Sequence, residues 1–266
     1  MKDQYVIACV ESAESAAVVL PWARHFAEHL RHKGLILLHV SPPTATTDDG
    51  WLKELGVPYV SMKGDWSTAI EGLPTAFGGI LAVTAVNPKA PRHSLTHPKT
   101  LLHEFKNCKI AYLVVNWQSA PTQLTTDNYK PTTVLTMTHR REGKEKLVWA
   151  SYLARFLGSR ITIAHPDYRD KDLHLRWRNN MRFVDKIFSP LEIHYSTSTL
   201  LRSTQVDLAA LDEMHPDLLI ARTTDTRERD LVDWFLPLPE IRLLSHPSHT
   251  PLLFLNPRDD LYILCD

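Results

Sequence analysis

The sequence predicts an α/β protein with two similar halves, each a mostly parallel sheet of five strands with helices on both faces. The first observation is an internal repeat. Residues 20–39 (LPWARHFAEHLRHKGLILLH) and 147–165 (LVWASYLARFLGSRITIAH) share Leu-x-Trp-Ala-x-x-x-Ala-x-x-Leu and then an apolar strand ending in histidine. The second is that short apolar runs alternate with helical segments. A repeat at about half the chain length indicates a duplicated domain, and this alternation indicates parallel strands with right-handed crossovers.

The repeat divides the 266 residues into two domains of ordinary size. We expect the first at residues 1–118 and the second at residues 131–266. Residues 119–130 lie in a polar, unpatterned stretch that is typical of a linker.

In the first half, apolar runs rich in β-branched residues predict the strands, as buried parallel strands require. They lie at residues 5–10, 35–41, 59–63, 80–86 and 110–115. Helices are expected from the Ser12 region to about residue 33, near 51–55, over 65–77 and over 99–106. Ser12 and Asp65 are suitable N-caps, Gly78 is a suitable C-terminal glycine, and Pro21 should kink or restart the first helix.

The second half repeats this order. Strands are predicted at residues 133–138, 160–165, 192–197, 218–223 and 252–255, and the tail at 260–264 resembles a further strand. Helices are predicted at 143–157, 168–188 and 204–214, with helical pieces between 227 and 245.

Composition disfavours several classes of protein. Lysine plus arginine equals aspartate plus glutamate at 30 each, so no global charge favours nucleic acid or an anionic membrane. No apolar run approaches the roughly 20 residues that span a bilayer. The N-terminus, MKDQYVIACV, lacks the pattern of a signal peptide, so we expect a cytoplasmic protein.

These features resemble the universal stress protein family through nearly the whole chain, twice. The motifs are a strand, a serine-bearing turn, a tryptophan-containing helix and a strand such as Leu37-Leu38-His39-Val40. The resemblance implies a Rossmann-like domain related to the adenine nucleotide alpha hydrolases. It also implies that the last strands of the two domains pair antiparallel, giving a pseudo-dimer within one chain. A further dimer would then need another surface, such as the tail at residues 260–264.

Many members of that family bind ATP through an acidic residue after the first strand and a glycine motif after the fourth. Glycines let the backbone approach the phosphates and present consecutive N–H groups to an anion. In the first half, Glu11 and Ser12 occupy the acidic turn, but residues 86–91 (VNPKAP) contain no glycine. Pro88 and Pro91 also remove two N–H donors from that segment.

The second half departs in another way. Alignment through the tryptophans places Thr138 where the acid would be, and the loop after the fourth strand reads RTTDTR, with Arg222, Thr223 and Arg227. These six residues, Glu11, Ser12, Thr138, Arg222, Thr223 and Arg227, are the candidate cleft residues. We expect neither half to bind ATP or AMP in the family's manner, and no other cofactor or metal is predicted.

Other chemical signals favour structural roles. The helix near 171–186 carries acidic residues among its basic ones, which disfavours nucleic-acid binding. His246 and His249 could supply two metal ligands, but the sequence spacing suggests no third and fourth. Three cysteines are too few for a disulfide framework. Ser12 and Ser15 lack a histidine and an acid at catalytic spacing, and no Walker loop or nucleophile elbow is present.

The sequence therefore predicts a non-catalytic stress-response protein that acts by binding or through an unknown protein partner. Two alternatives stay open. One is a nucleotide or small-anion sensor that binds in the second half through Arg222 and its neighbours. The other is an ATPase or adenylyl-transfer enzyme, against which the absent glycines and metal site argue. A filled first cleft would favour the binding protein, and an open, arginine-lined second cleft would favour the sensor.

Overall fold

The strands form one continuous sheet that crosses both halves of the chain. The computed structural model describes residues 4–30, 34–44, 50–118, 130–139, 144–202, 205–224, 238–246 and 250–257. Within these ranges the sheet has eleven strands in the order β3-β2-β1-β4-β5-β11-β10-β6-β7-β8-β9. The predicted α/β fold with two mostly parallel five-stranded units is confirmed, and β9 is a short addition at one edge.

The strands of the first half follow the predicted apolar runs. They are β1 (Tyr5–Cys9), β2 (Gly34–Ser41), β3 (Tyr59–Lys63), β4 (Gly79–Val86) and β5 (Ala111–Asn116). All neighbouring pairs in this half are parallel. β1 and β4 are almost wholly buried because helices cover both faces of the sheet.

The strands of the second half repeat the arrangement. They are β6 (Thr132–Thr136), β7 (Arg160–Pro166), β8 (Tyr195–Arg202), β9 (Gln205–Val206), β10 (Leu218–Arg222) and β11 (Leu252–Leu255). β6 lies beside β10 and β7, all parallel, and β9 pairs antiparallel with the end of β8.

Most described helices agree with the predicted positions to within a few residues, whereas the helical pieces predicted before residue 238, the linker at 119–129 and the tail at 260–264 lie outside the described residues. The described helices are α1 (Ala13–His29), α2 (Gly50–Glu54), α3 (Trp66–Glu71), α4 (Leu73–Ala76), α5 (Pro98–Glu104), α6 (Lys144–Phe156), α7 (Lys171–Phe188), α8 (Leu208–Met214) and α9 (Pro239–Ser245). A 3-10 turn at Ser189–Leu191 follows α7.

Some local predictions were wrong. α1 does not restart at Pro21 but continues through it as one helix, because its long buried face outweighs the single hydrogen bond that the proline removes. The strand predicted at 192–197 is β8, which begins and ends later in the chain. The helix predicted over 65–77 divides at Gly72, and Pro74 lies in the first turn of α4. The helix predicted from residue 204 begins only at Leu208, where Asp207 is the N-cap.

Two apolar layers enclose the sheet, and each contains residues of both halves. On one face α1, α6 and α7 cover the strands with side chains that include Phe26, Leu153 and Phe188. On the other face α3, α5, α8 and α9 supply residues such as Phe105 and Leu244. The two halves thus bury their apolar surface against a shared sheet.

The halves meet where β5 pairs antiparallel with β11, as the resemblance implied. Leu113 lies opposite Leu253 near the centre of this pairing, and Tyr112 lies opposite Phe254. The Tyr112 ring is 4.8 Å from Phe105 and 5.6 Å from Phe254 between centroids. Equivalent last strands related in this way make the chain a pseudo-dimer.

Candidate functional site

The two candidate clefts lie at the switch points of the sheet, where ligands bind in open α/β folds. In the first half the strand order reverses between β1 and β4, and in the second between β6 and β10. Ala8 pairs with Val83, and Leu135 pairs with Ile220. The register therefore places Thr138 at the position of Glu11, three residues beyond each paired strand residue.

In the first cleft, the carboxylate of Glu11 is bound by the loop that follows β4. The backbone N–H of Leu95 donates to Glu11 Oε2 at 2.7 Å, and Thr96 Oγ1 donates to Oε1 at 3.2 Å. The Ser94 hydroxyl donates to the same Oε1. Leu95 and Thr96 are buried, so this loop is packed into the end of the sheet.

The loop after β4 also satisfies its own backbone. The N–H groups of Ala90, Ser94 and His97 donate to carbonyls of the same loop, at 2.9, 3.0 and 3.1 Å. Asn87 N–H donates to the Thr96 carbonyl at 2.8 Å. A phosphate nest requires consecutive N–H groups that point outward, and here these groups are engaged inside the protein.

Ser12 is the N-cap of α1. Its hydroxyl accepts from Ser15 N–H at 3.3 Å, while Ser15 Oγ accepts from the N–H groups of Glu11 and Ser12, each at 3.0 Å. Glu14 lies in the same first turn, and the hydrogen bond from Ser12 lowers the pKa of its carboxyl. The positive end of α1 therefore already has a carboxylate beside it.

In the second cleft, a buried carboxylate from α9 binds the end of β10. Glu240 is only 4% exposed, and its Oε1 accepts from the Thr224 hydroxyl at 2.8 Å and from the Thr224 N–H. Thr223 N–H donates to the Leu255 carbonyl at 2.9 Å, and its hydroxyl donates to Asn256 Oδ1 at 2.7 Å. The first residues of this loop are therefore bound internally as well.

The β6 side of the second cleft is covered by α7 and by a lysine of α6. Asn180 Nδ2 donates to the Thr138 carbonyl at 2.8 Å, and Tyr168 Oη accepts from His139 N–H at 2.7 Å. Lys146 is 3% exposed, and its ammonium donates to the Thr136 carbonyl. A buried ammonium thus lies at the carboxyl end of β6.

The remaining predicted residues have different positions. Arg222 ends β10 and is half-buried. Arg227 lies outside the described residues. The structure brings Glu11 and Ser12 together at one switch point and Thr138 with Arg222 and Thr223 at the other.

Sequence reasoning missed the groups that bind these loops. Ser94 and Thr96 contact Glu11 across 83 and 85 positions of sequence, so no local spacing reveals them. Glu240 follows Pro239 in the first turn of α9, which signals a helix start but not a partner. Lys146 lies on the buried face of α6, and a lysine among apolar residues at that helical spacing is a signal that the sequence does contain.

Asn256 joins the second cleft to the seam between the halves. Its Nδ2 donates to the carbonyls of Phe105 and Cys108 at 2.6 and 3.0 Å, while its Oδ1 accepts from Thr223. Burial is the main cause of the strongly raised pKa of Tyr112, and the charges of Cys108 and Glu240 raise it further. The seam and the second cleft are therefore one connected polar network.

No protein-family model matches the sequence, and no curated protein matches it. Solved structures do match the fold. A universal stress protein from Archaeoglobus fulgidus DSM 4304 is 9% identical, with a TM-score of 0.63 over 96% of this chain and 99% of its own. The chain has the universal stress protein fold.

Two structures from Pseudomonas aeruginosa agree with this result. A candidate universal stress protein from strain UCBPP-PA14 is 14% identical, with a TM-score of 0.59 over 97% of this chain and 93% of its own. A functionally unknown protein from strain PAO1 is also 14% identical, with a TM-score of 0.59 over 98% and 94%. The predicted resemblance to universal stress proteins is thus confirmed at the level of the fold.

The described ranges contain no group of three or more histidine, cysteine, aspartate or glutamate residues arranged to hold a metal. His246 Nε2 instead lies 3.4 Å from Asp212 Oδ2. The His97 side chain accepts from the backbone N–H of Lys99 as the N-cap of α5. Among the same ranges, no helix combines the length and the apolar character that crossing a membrane requires.

Proposed function

We propose that this protein is a non-catalytic binding protein of the universal stress protein type that does not use ATP. The observation that carries the proposal is the use of the protein's own carboxylates at both switch points. Glu11 binds the loop after β4, and Glu240 binds Thr224, two residues beyond the end of β10. These are the donors that an anion would otherwise take.

Electrostatics support this proposal. A phosphate in the first cleft would approach Glu11 and Glu14, and in the second it would approach buried Glu240. Like charges within a few ångströms repel by several kcal/mol where water is scarce, so bound nucleotide would first have to displace the carboxylate. The prolines in the first loop and the absence of glycine in both loops add a steric reason.

Thermal unfolding with and without millimolar Mg-ATP or Mg-AMP tests the proposal. A ligand at 100 times its Kd would add about 2.7 kcal/mol to stability and raise the midpoint by several degrees. We expect no resolvable change in midpoint with either nucleotide. A clear rise with ATP would overturn the proposal.

A second candidate function is the binding of a small anion in the second half. The buried ammonium of Lys146 and the half-buried guanidinium of Arg222 favour it, since both lie at the carboxyl ends of neighbouring strands. Inorganic phosphate and sulfate in the same unfolding assay separate this candidate from the first. A rise with phosphate that Arg222→Ala abolishes would support it.

A further inference from the structure

A cavity of about 920 Å³ lies on the α6 side of the seam between the halves. One wall is α6, and the opposite wall is the amino edge of the first sheet, with Gly79 and Ile110. Leu30 at the end of α1 closes part of it. Its volume is in the range of pockets that hold small molecules.

The α6 wall is a stripe of aromatic rings. Trp149, Tyr152 and Phe156 follow one another at helical spacing, and successive ring centroids are 5.9 Å apart. Tyr152 is 41% exposed although it is a large apolar side chain. Trp149 is buried and its ring plane is 89° from that of Tyr152, whereas the planes of Tyr152 and Phe156 are 33° apart. The last two rings therefore offer a surface on which a flat or aliphatic body could pack.

Charge distinguishes the two ends of the stripe. Glu145 lies in the first turn of α6, whereas Arg155 lies in the last turn, with its guanidinium 5.6 Å from the Phe156 centroid. Lys109 lines the opposite wall. The cation at the Phe156 end of the stripe favours an anionic group on the ligand, placed toward Arg155.

The repeat shows that packing does not demand these residues. At the equivalent positions α1 carries His25, Glu28 and His29 where α6 carries Tyr152, Arg155 and Phe156. Both helices cover the same face of the sheet and share one apolar layer. Trp149 has a counterpart in Trp22, but the combination of Tyr152, Arg155 and Phe156 is a property of α6 alone.

We propose that this cavity binds a small amphipathic carboxylate, with its apolar body on Tyr152 and Phe156 and its carboxylate near Arg155. This inference rests on the proposed function only in taking the protein to be a binding protein. Neither Glu11 nor Glu240 lines the cavity, so its test is distinguishable from the nucleotide test.

Calorimetric titration of the full chain with 2-naphthoate and decanoate tests the proposal, with 2-naphthalenemethanol as the uncharged analogue. We expect one site, and about tenfold tighter binding of 2-naphthoate than of the alcohol. Absence of binding at millimolar concentration for both carboxylates would overturn the proposal. Equal affinity for the alcohol would overturn the assignment of an anion.

Variants in which α6 residues are replaced by their α1 counterparts locate the site, because each new residue type already occurs at the equivalent position of the other half. Arg155→Glu copies Glu28, and Tyr152→His with Phe156→His copies His25 and His29. Each should weaken 2-naphthoate binding about tenfold or more, while Leu175→Ala on exposed α7 should not. Unchanged affinity in both α6 variants would refute the site.

Discussion

At the scale of single residues, one carboxylate determines the state of the first cleft. Glu11 accepts hydrogen bonds from Ser94, Leu95 and Thr96, and buried donors that lose an acceptor cost about 1–3 kcal/mol. Its presence after β1 was visible in the sequence. Its use as an internal anchor was not, because the partners come from a loop with no periodic pattern.

Glu11→Gln tests that role. The amide keeps the size of the side chain but turns one acceptor into a donor that faces Ser94 or Leu95. We expect a loss of about 1–3 kcal/mol of unfolding free energy in urea. Glu28→Gln on the exposed face of α1 is the control and should change stability by less than about 0.5 kcal/mol. Equal stability of the two variants would contradict the account.

His25 makes stability depend on pH. Burial, with a smaller effect of His29, lowers the pKa of His25 from 6.5 to about 4, and the two rings lie 4.2 Å apart. Between about pH 4 and pH 6.5, His25 is protonated in the unfolded chain but neutral in the folded chain. This contribution to stability is therefore complete above about pH 6.5 and is lost as pH falls toward 4.

His25→Tyr, which copies Tyr152 of α6, should reduce the difference in unfolding free energy between pH 7 and pH 5. His103→Gln, at an exposed position of α5, should leave that difference unchanged. Urea unfolding at both pH values measures it. A pH dependence in His25→Tyr as steep as in the parent chain would refute the assignment.

At the scale of elements, β5, β11 and α5 are held together by Asn256. Its Nδ2 donates to the carbonyls of Phe105 and Cys108 just past α5, and its Oδ1 accepts from the hydroxyls of Thr223 and of Tyr112 in β5. Asn116 is the equivalent residue at the end of β5, and its side chain accepts from Gln118 N–H at 3.0 Å. The repeat thus retains the residue type but changes its contacts.

Asn256→Ala should cost about 2–3 kcal/mol, because two carbonyls and two hydroxyls lose a partner. Asn116→Ala should cost less than half as much. Both values come from urea unfolding monitored by circular dichroism. A larger loss in Asn116→Ala would show that Asn256 does not hold the seam.

The elements themselves were largely predictable from the sequence. Apolar runs and the N-caps Ser12 and Asp65 placed the strands and helices, because burial and capping are local in sequence. The division of residues 65–77 at Gly72 and the late start of α8 were missed. Pro74 favours the first turn of a helix and Asp207 favours an N-cap, so α4 and α8 begin beside them although the apolar pattern suggested longer helices.

At the scale of the whole molecule, one sheet and two shared apolar layers make the halves a single unit. The family resemblance implied the antiparallel β5–β11 pairing, which the structure contains. The resemblance did not predict how the clefts are filled. Glu240 contacts Thr224 across 16 positions of sequence, a separation that no local pattern links, so only the three-dimensional arrangement reveals it.

This unity predicts that the chain unfolds in one cooperative transition. Urea curves from tryptophan fluorescence and from far-ultraviolet circular dichroism should coincide, since tryptophans lie in both halves. Two separated transitions would show that each half is stable alone and that the shared layers contribute little.

The most direct test of the central claim is hydrogen–deuterium exchange of the loop at residues 87–97, with and without millimolar Mg-ATP. The account predicts slow exchange at Leu95 and Thr96 in the free protein, no change with ATP, and faster exchange in Glu11→Gln. Fast exchange that ATP slows would show instead that the loop is open and receives a nucleotide.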